Sequence, residues 1–503
     1  MNKGKKSLLN AITALIQMAA VSIFGLLFTR TIMLKFGSDY NGINSTVTQI
    51  VNSLMILEGG FTLASNVALF APFSEGDNDV VNGILSATNK RFKTVGAIAL
   101  IVGLLFSVLY PFIATTNMPK WMISVLMLSV LIPSCYNLGM NMKYRVLILA
   151  DQKEYIISII TTIAYIMGCG ISIVVMRSGG SLIWARIIMM ISLFLNYFGI
   201  MIYCKKKYPW QRYDVEPLYE KIKGTKSVLV MKLNSMFYLS FPVIIISTLP
   251  RNGAKVASVY AVYKAVMTVV ANSLASLTNA PRLGFGALFA EERKEDAKKF
   301  FDYYEKIVCI SISVVLGSCC MLLIPFIKIY TSGIKDINYI DKKMALIMLV
   351  TVLLETIHIP SGQIIQMSGD FEISRKIQSI SCVILVIVMT TGRFIWGMYG
   401  IIMAVFIAAL VIAIMEITYT SRSIFGRSFI NLVKNILPCL IICLGTVFLG
   451  FMNTIKIHSL FGFFVYGAIS FISLLFITFI IYYFIDLDGM KGVFGLIKKS
   501  IFK

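Results

Sequence analysis

The chain has 503 residues, of which 58% are apolar and 14% are charged, and its formal net charge is +22. Soluble proteins are nearer half apolar and a quarter charged, so this composition excludes an ordinary soluble protein. A strong positive charge on a soluble chain would indicate nucleic acid, whereas on a membrane chain it indicates loops that lie against anionic lipids. We therefore expect anionic membrane lipids as partners and no nucleic acid.

The apolar residues form about fourteen continuous runs of about 20 residues, the length of a helix that crosses the hydrocarbon core of a bilayer. The runs do not alternate between polar and apolar residues, which excludes a transmembrane β-barrel. The sequence thus predicts an all-α polytopic membrane protein with about 14 transmembrane helices. The predicted spans are 8–29, 43–70, 94–116, 121–141, 155–176, 181–204, 227–249, 256–281, 305–330, 342–366, 377–395, 399–420, 435–453 and 459–485.

The segments between spans differ in their content of Lys and Arg. If the amino terminus is cytoplasmic, the inner segments hold most of these residues and the outer loops are short. Cytoplasmic loops of membrane proteins carry the excess of Lys and Arg. We therefore expect a multi-pass protein with both termini in the cytoplasm.

The chain repeats itself at an offset of about 220 residues. Residues 68–71 (Ala-Leu-Phe-Ala) recur at 287–290, and Arg30 has a counterpart in Arg251. Six predicted spans separate the copies, which indicates two six-helix lobes related by an axis along the membrane normal. The predicted organisation is an N-terminal lobe 1–204, a cytoplasmic linker 205–226, a C-terminal lobe 227–420, two appended spans within 421–485 and a cytoplasmic amphipathic tail 486–503.

Two predicted spans carry a polar stripe in which the residues recur every four positions, and this spacing keeps the side chains on one helix face. Span 2 has Asn44, Thr48 and Asn52, and span 8 has Tyr260, Lys264, Thr268 and Asn272. Carriers built from repeats bind substrate near mid-membrane between the repeats, so we expect these faces to line a cavity. Helix-to-helix hydrogen bonding is the alternative. The ammonium of Lys264 favours the cavity, because a charge at mid-span costs at least about 2.5 kcal/mol unless water or a partner meets it.

Other charges also lie within the predicted spans or at their ends. Glu58 precedes a Gly-Gly pair in span 2, and it either pairs with a cavity cation, carries a coupling proton or forms a structural ion pair. Arg30, Arg251 and Lys232 are candidate cavity cations, with snorkelling to the lipid headgroups as the alternative. We interpret Arg186, Arg393 and Glu416 as structural, and Glu355 and His358 as a buried pair or a shared proton site. These last five residues are not assigned to the predicted binding site.

Nothing in the sequence predicts a catalytic or metal site. The nine cysteines lack zinc-ligand spacing and fall within or beside apolar runs, there are two histidines, and no Gly-x-x-x-x-Gly-Lys-Ser loop is present. We therefore predict that the protein is not an enzyme and needs no cofactor.

Several short segments together resemble the polysaccharide flippases of the multidrug/oligosaccharidyl-lipid/polysaccharide exporter superfamily. They are residues 30–37 with Tyr40-Asn41-Gly42, then Glu58-Gly59-Gly60, and then 149–155 (Leu-Ala-Asp-Gln-Lys-Glu-Tyr). The resemblance implies fourteen spans, two lobes and a cavity lined by spans 1, 2, 7 and 8. It also implies translocation of an undecaprenyl-pyrophosphate-linked oligosaccharide across the bacterial plasma membrane for capsule, exopolysaccharide or O-antigen synthesis, with a polymerase and glycosyltransferases as partners.

Two other functions remain as alternatives. One is a multidrug or small-molecule cation-coupled antiporter of the same superfamily, because one fold serves several cargoes. The other is a membrane-embedded polymerase or ligase, which the short outer loops disfavour because such chemistry needs converging acid and base groups at the outer face. The charges at membrane depth include more cations than carboxylates, which favours an anionic cargo.

Overall fold

The computed structural model describes residues 3–58, 60–222, 225–279, 294–452, 457 and 459–501. Within these residues, thirteen helices are long and apolar enough to cross a membrane, and every regular element is helical. The prediction of an all-α polytopic membrane fold is confirmed. The chain divides into two compact units, Met1–Ala261 and Val262–Lys503, and the predicted lobe boundaries stay predictions.

The first eleven helices are α1 Lys3–Phe36, α2 Ser38–Met55, α3 Phe61–Glu75, α4 Asn78–Ile113, α5 Lys120–Tyr136, α6 Met142–Ala150, α7 Glu154–Arg177, α8 Leu182–Lys207, α9 Thr225–Leu239, α10 Phe241–Ser247 and α11 Gly253–Asn279. The later helices are α12 Lys294–Tyr330, α13 Lys342–Ile357, α14 Ile359–Met367, α15 Phe371–Trp396, α16 Met398–Tyr419, α17 Phe429–Met452, α18 Leu460–Ile485 and α19 Leu487–Ile501. Short π-helical segments, Asn137–Asn141 and Thr420–Ile424, follow α5 and α16.

Predicted span 2 is divided between two helices. Residues 43–70 are divided between α2 and α3, with a 3-10 turn at Ile56–Glu58 between the two helices. Gly60 has φ 74°, in the left-handed region that glycine adopts without steric cost. A charged residue followed by glycine therefore interrupts the helix within the predicted span.

Predicted spans 7 and 10 are also interrupted. α9 and α10 meet at Ser240, and α13 and α14 meet at His358. In both cases a proline follows within two residues, Pro242 or Pro360, at the start of the second helix, where its missing N–H costs least. Discontinuous helices in membrane carriers expose backbone and polar side chains at depth, so these breaks mark candidate functional positions.

The core of the first unit is formed by apolar residues of α1 to α8. Ile32, Val47, Ile84, Leu147 and Ile200 are fully or almost fully buried. The linker after α8 packs on the beginning of α4. Ser86 Oγ donates to the carbonyls of Tyr213 and Val215 at 3.1 and 2.7 Å, and Leu218 N donates to the Gly83 carbonyl at 3.1 Å. The described part of the linker thus belongs to the first unit.

In the second unit, α12 contacts both appended spans, α17 and α18. Glu305 of α12 accepts from Arg427 Nη2 at 2.6 Å and from Asn435 Nδ2 at 2.9 Å, and Tyr482 donates to the Asn435 carbonyl at 2.6 Å. The two charge-assisted hydrogen bonds to Glu305 hold α17 and Arg427 just before it to α12. The neutral bond from Tyr482 joins α18 to α17.

The carboxyl-terminal tail forms the helix that its spacing predicts. Met490 and Val493 of α19 are 0% and 1% exposed, and Lys306 of α12 pairs with Asp486 just before the helix. α19 contacts α12 and α18, so these two apolar residues are covered by protein rather than by lipid.

Candidate functional site

The predicted polar stripe of span 2 lies on one continuous helix, α2. Asn44 is 6% exposed, Thr48 is half-buried and Asn52 is exposed. The Thr48 hydroxyl donates to the Asn44 carbonyl at 2.8 Å, one turn earlier. The stripe therefore runs along one face from a buried end at Asn44 to an accessible end at Asn52.

An arginine that we interpret from the sequence as structural lies at the buried end of this stripe. Arg186 of α8 donates through Nη2 to Asn44 Oδ1 and, at 3.4 Å, to Thr48 Oγ1. The guanidinium carbon lies 5.5 Å from the centre of the Phe28 ring, which is a cation–π distance. The only signal in the sequence was a single arginine near the start of an apolar run, and it did not reveal which helix the side chain contacts.

Glu58 lies on the 3-10 turn that separates α2 from α3. One carboxylate oxygen pairs with Lys232 Nζ of α9, and the other accepts from the Thr62 hydroxyl of α3. The Glu58 side chain is 15% exposed and that of Lys232 is 36% exposed. Of the roles that the sequence left open for Glu58, the geometry corresponds to an ion pair with a cation of span 7.

The second stripe lies on α11. Tyr260 is 3% exposed, Lys264 is half-buried, and Thr268 and Asn272 are exposed. The Thr268 hydroxyl donates to the Lys264 carbonyl at 2.7 Å, as Thr48 does to Asn44. The repeat makes Lys264, Thr268 and Asn272 the counterparts of Asn44, Thr48 and Asn52, and exposure rises toward the carboxyl end of the stripe in both helices.

The two remaining predicted cations differ in their surroundings. Arg30 is half-buried on α1, whereas Arg251 is exposed on the turn between α10 and α11. Within the described part of the chain, Arg251 makes no side-chain hydrogen bond or ion pair. Exposure at a helix connection is the arrangement expected of a side chain that reaches the lipid headgroups.

The second unit contains a carboxylate–histidine contact that the sequence did not predict. His358 Nδ1 lies 2.8 Å from Glu416 Oε2 of α16, and Glu416 is 3% exposed. His358 occupies the break between α13 and α14, and α14 packs against α16. The contact partner of His358 is therefore on a different helix from the expected Glu355.

The described residues contain no group of three or more His, Cys, Asp or Glu side chains that could hold a metal ion. The nine cysteines are free thiols, and seven of them are buried. The interpretation of these cysteines as small packing residues agrees with their burial.

The comparisons with known proteins identify the fold. No protein-family model and no curated protein sequence matches the chain. The solved structure of the lipid II flippase MurJ, in its inward closed conformation, has a TM-score of 0.67 at 14% identity and covers 95% of this chain and 99% of that chain. An inward-facing multidrug resistance MATE family transporter of the MOP superfamily has a TM-score of 0.63 at 13% identity, with 82% and 98% covered.

A eukaryotic MATE transporter is a third structure with the same fold. Its TM-score is 0.59 at 12% identity, and the match covers 87% of this chain and 98% of that chain. At these identities the likeness establishes the fold alone. The all-α polytopic membrane fold implied by the sequence resemblance is confirmed, since a transporter of the MOP superfamily shares it.

Proposed function

We propose that this protein is a carrier that moves an undecaprenyl-pyrophosphate-linked oligosaccharide from the inner to the outer leaflet of a bacterial plasma membrane by alternating access. It acts without a cofactor and without chemical conversion of its cargo. The observation that carries the proposal is the pair of polar stripes on α2 and α11 of a multi-pass fold. Arg186 contacts the stripe on α2, and Lys264 is a member of the stripe on α11. A structure that shares this fold is named for flipping lipid II, which supports a lipid-linked cargo.

The proposed substrate-binding residues are those of the two stripes together with the predicted cations. They are Asn44, Thr48, Asn52, Tyr260, Lys264, Thr268, Asn272, Arg30, Lys232 and Arg251. Hydroxyl and amide side chains can donate hydrogen bonds to the sugar hydroxyls and accept hydrogen bonds from them. Cations suit the pyrophosphate, since an anion in a low-dielectric environment needs compensating charge. Glu58 sets the charge of this region by pairing with Lys232.

The membrane potential is the proposed driving force. Each negative charge that moves outward across a membrane with an inside-negative potential gains about 2.3 kcal/mol per 100 mV. When the pyrophosphate is bound, its negative charges offset the cations of the site, so the loaded carrier is nearly neutral. The empty carrier is positive, and the inside-negative potential drives its binding site back toward the cytoplasm. Collapsing the potential with valinomycin and potassium in energised vesicles should slow translocation, and an unchanged rate would exclude this coupling.

The positive-inside distribution supports cytoplasmic termini in this proposal. The proposed protein partners are glycosyltransferases, which load the lipid, and a polymerase, which consumes the flipped unit. Anionic lipids are the proposed partners of the basic loops.

A multidrug or small-molecule antiporter is the second candidate, because multidrug transporters share the fold. The two functions can be distinguished in a strain in which the gene for this protein is deleted and a variant of the protein is expressed from a plasmid. Lys264→Gln should abolish surface polysaccharide and leave drug tolerance unchanged, because the proposed substrate site loses the cation of the α11 stripe. Normal polysaccharide with new drug sensitivity would instead favour the antiporter.

Lys255→Gln is the matched control. Lys255 lies on the same helix, is also half-buried and is not part of the stripe. This variant should support polysaccharide synthesis at the wild-type level, and immunoblots of the membrane fraction should show equal amounts of all three proteins. Equal loss of polysaccharide in both variants would show that any charge lost from α11 is damaging and would remove the support that Lys264 gives.

A further inference from the structure

Arg186 has no carboxylate partner within the described part of the chain. Its hydrogen-bond acceptors are the amide oxygen of Asn44 and the hydroxyl of Thr48, both neutral, and its π contact is with Phe28. Its Nε is buried and has no hydrogen-bond partner. A guanidinium carries its charge at any physiological pH, so among the described residues this cation is held by uncharged groups alone.

Several other cations of the described residues are paired with carboxylates, among them three on or beside membrane-spanning helices. Lys232 has Glu58, Lys306 has Asp486, and Arg427 has Glu305 and Asp302. Buried charges in proteins are ordinarily paired, because desolvation of a lone ion costs several kcal/mol. In a membrane-spanning helix, an ionisable residue kept without a counter-ion marks a place where an ion or a substrate charge arrives.

We propose that Arg186, Asn44 and Thr48 form an anion site in the first unit that takes a phosphate group. The proposal rests on the proposed function and deepens it, because it assigns the phosphate of the cargo to a residue outside the predicted set. The planar guanidinium offers several N–H donors in a fork that matches two phosphate oxygens, and Nε is free to donate. The Asn44 amide and the Thr48 hydroxyl add neutral polar groups at the same place.

The stripe supplies the approach to this site. Exposure increases from Asn44 through Thr48 to Asn52, which lies two turns farther along α2. A phosphate group that enters beside Asn52 therefore meets polar side chains at every turn until it reaches Arg186. α2 ends at Met55, and Glu58 lies on the turn that follows it. The carboxylate of Glu58 is therefore not part of the stripe between Asn52 and Asn44 along which the phosphate group would pass.

The phosphate could belong to the lipid-linked cargo or to a free phosphate compound, and two probes separate these sources. The full-length protein, purified in detergent, is titrated with inorganic pyrophosphate in one arm and with undecaprenyl pyrophosphate in mixed micelles in the other. The measured quantity is the midpoint of thermal unfolding at constant ionic strength, since a ligand that binds only the folded state raises it. Protection by both probes assigns the site to the phosphate group itself, and protection by the lipid alone assigns it to the lipid headgroup.

Four proteins are compared. Arg186→Gln should lower the affinity for the protecting probe at least tenfold, and Arg186→Lys should lower it less, because an ammonium keeps the charge but not the fork. Arg177→Gln removes an exposed arginine at the end of the neighbouring helix α7 and should bind as the wild type does. If Arg186→Gln does not fold, Thr48→Val is measured in its place and should also bind more weakly. Wild-type affinity in the folded Arg186 variants, or no protection of the wild type by either probe, would overturn the proposal.

Failure of this site is distinguishable from failure of the proposed function. If Lys264→Gln abolishes surface polysaccharide while Arg186→Gln keeps both polysaccharide and probe binding, the anion site is wrong and the carrier proposal stands. If Arg186→Gln loses probe binding while neither variant alters polysaccharide, the site stands and the carrier proposal is wrong.

Discussion

Glu58 and Lys232 are 174 positions apart in the chain and form one ion pair within the first unit. Removing either charge leaves the other without its partner, whereas removing both leaves two neutral amides. Glu58→Gln and Lys232→Gln should each destabilise the protein, and the double variant should be more stable than the sum of the single effects predicts. We expect a coupling energy of about 1 kcal/mol, toward the lower end for contacting residues, because Lys232 is partly solvated.

A double-mutant cycle measured by chemical unfolding in detergent checks this expectation. Additive single effects would show that the two side chains do not interact in solution. In that case Glu58 would be available as a proton carrier, which the sequence analysis left open.

Asp151, in the turn between α6 and α7, joins three segments of the first unit. Lys6 of α1 and Lys153 pair with its carboxylate at 2.8 and 2.6 Å, and Tyr208 after α8 donates to it at 2.6 Å. Burial raises the pKa of Asp151, but these hydrogen bonds outweigh burial and hold the pKa below its ordinary value of 3.8. The motif at 149–155 therefore has a structural role at this end of the helices.

The sign of the pH effect follows from this lowered pKa. A carboxylate whose pKa is lower in the folded state stabilises the protein above its unfolded pKa, and that contribution is lost as the pH falls through the folded pKa. Asp151→Asn should therefore lower the unfolding midpoint at pH 7 and weaken the loss of stability below about pH 4. Asp214→Asn, at an exposed linker residue, is the control. Parallel pH profiles for wild type and Asp151→Asn would contradict the assignment.

At the residue scale, the sequence predicted the stripes but not their partners. Four-residue periodicity is local, so the spacing of Asn44, Thr48 and Asn52 is sufficient to place them on one helix face. The contact of Asn44 with Arg186 joins residues 142 positions apart, and the contact of His358 with Glu416 joins two helices in the same way. Such pairings depend on helix packing, which a single sequence does not specify.

At the scale of the helix, the apolar runs predicted about fourteen spans, and thirteen helices of the described residues are long and apolar enough to cross a membrane. The runs did not predict the breaks within spans. Hydropathy over about 20 residues averages across a Gly-Gly pair or a proline. The breaks at Glu58, Ser240 and His358 follow local chemistry that the averaged signal conceals, namely left-handed glycine or proline at the start of a helix. A polar or charged residue stands at each break: Glu58, Ser240 or His358.

The first turns of α2 and α11 approach closely within the first unit. Asn41 Nδ2 donates to Ser258 Oγ at 2.7 Å, and a Cβ on Gly42 would lie 1.7 Å from the Ala254 carbonyl oxygen. Because that neighbour is backbone, Gly42→Ala must displace one helix. We expect a loss of about 1–3 kcal/mol from overpacking.

Gly170→Ala is the matched control, since a Cβ on Gly170 of α7 meets nothing within 4 Å. Alanine in a helix interior is favoured over glycine by about 0.5–1 kcal/mol, so this variant should be as stable as the wild type or more stable. Chemical unfolding of both variants in detergent checks the pair of expectations. Equal stability of Gly42→Ala and wild type would show that the helices do not pack this closely.

At the scale of the whole molecule, composition and the length of the apolar runs were sufficient for the all-α membrane fold class. In lipid, the backbone N–H and C=O groups of a long apolar run can form their hydrogen bonds within a helix. The matched structures confirm this helical membrane fold. The fold does not specify the cargo, because a lipid II flippase and multidrug transporters share this fold. Function must therefore be argued from side chains, above all from the cations beside the two stripes.

The proposed cargo of this carrier is a lipid-linked anionic sugar. The direct measurement is the rate at which a fluorescent undecaprenyl-pyrophosphate-linked oligosaccharide crosses liposomes that contain only the purified protein, under an imposed potential. We expect a translocation rate well above that in protein-free liposomes, and a fall to the protein-free rate with Lys264→Gln. A wild-type rate equal to that of protein-free liposomes, with transport of a cationic drug by the same vesicles, would contradict this proposal.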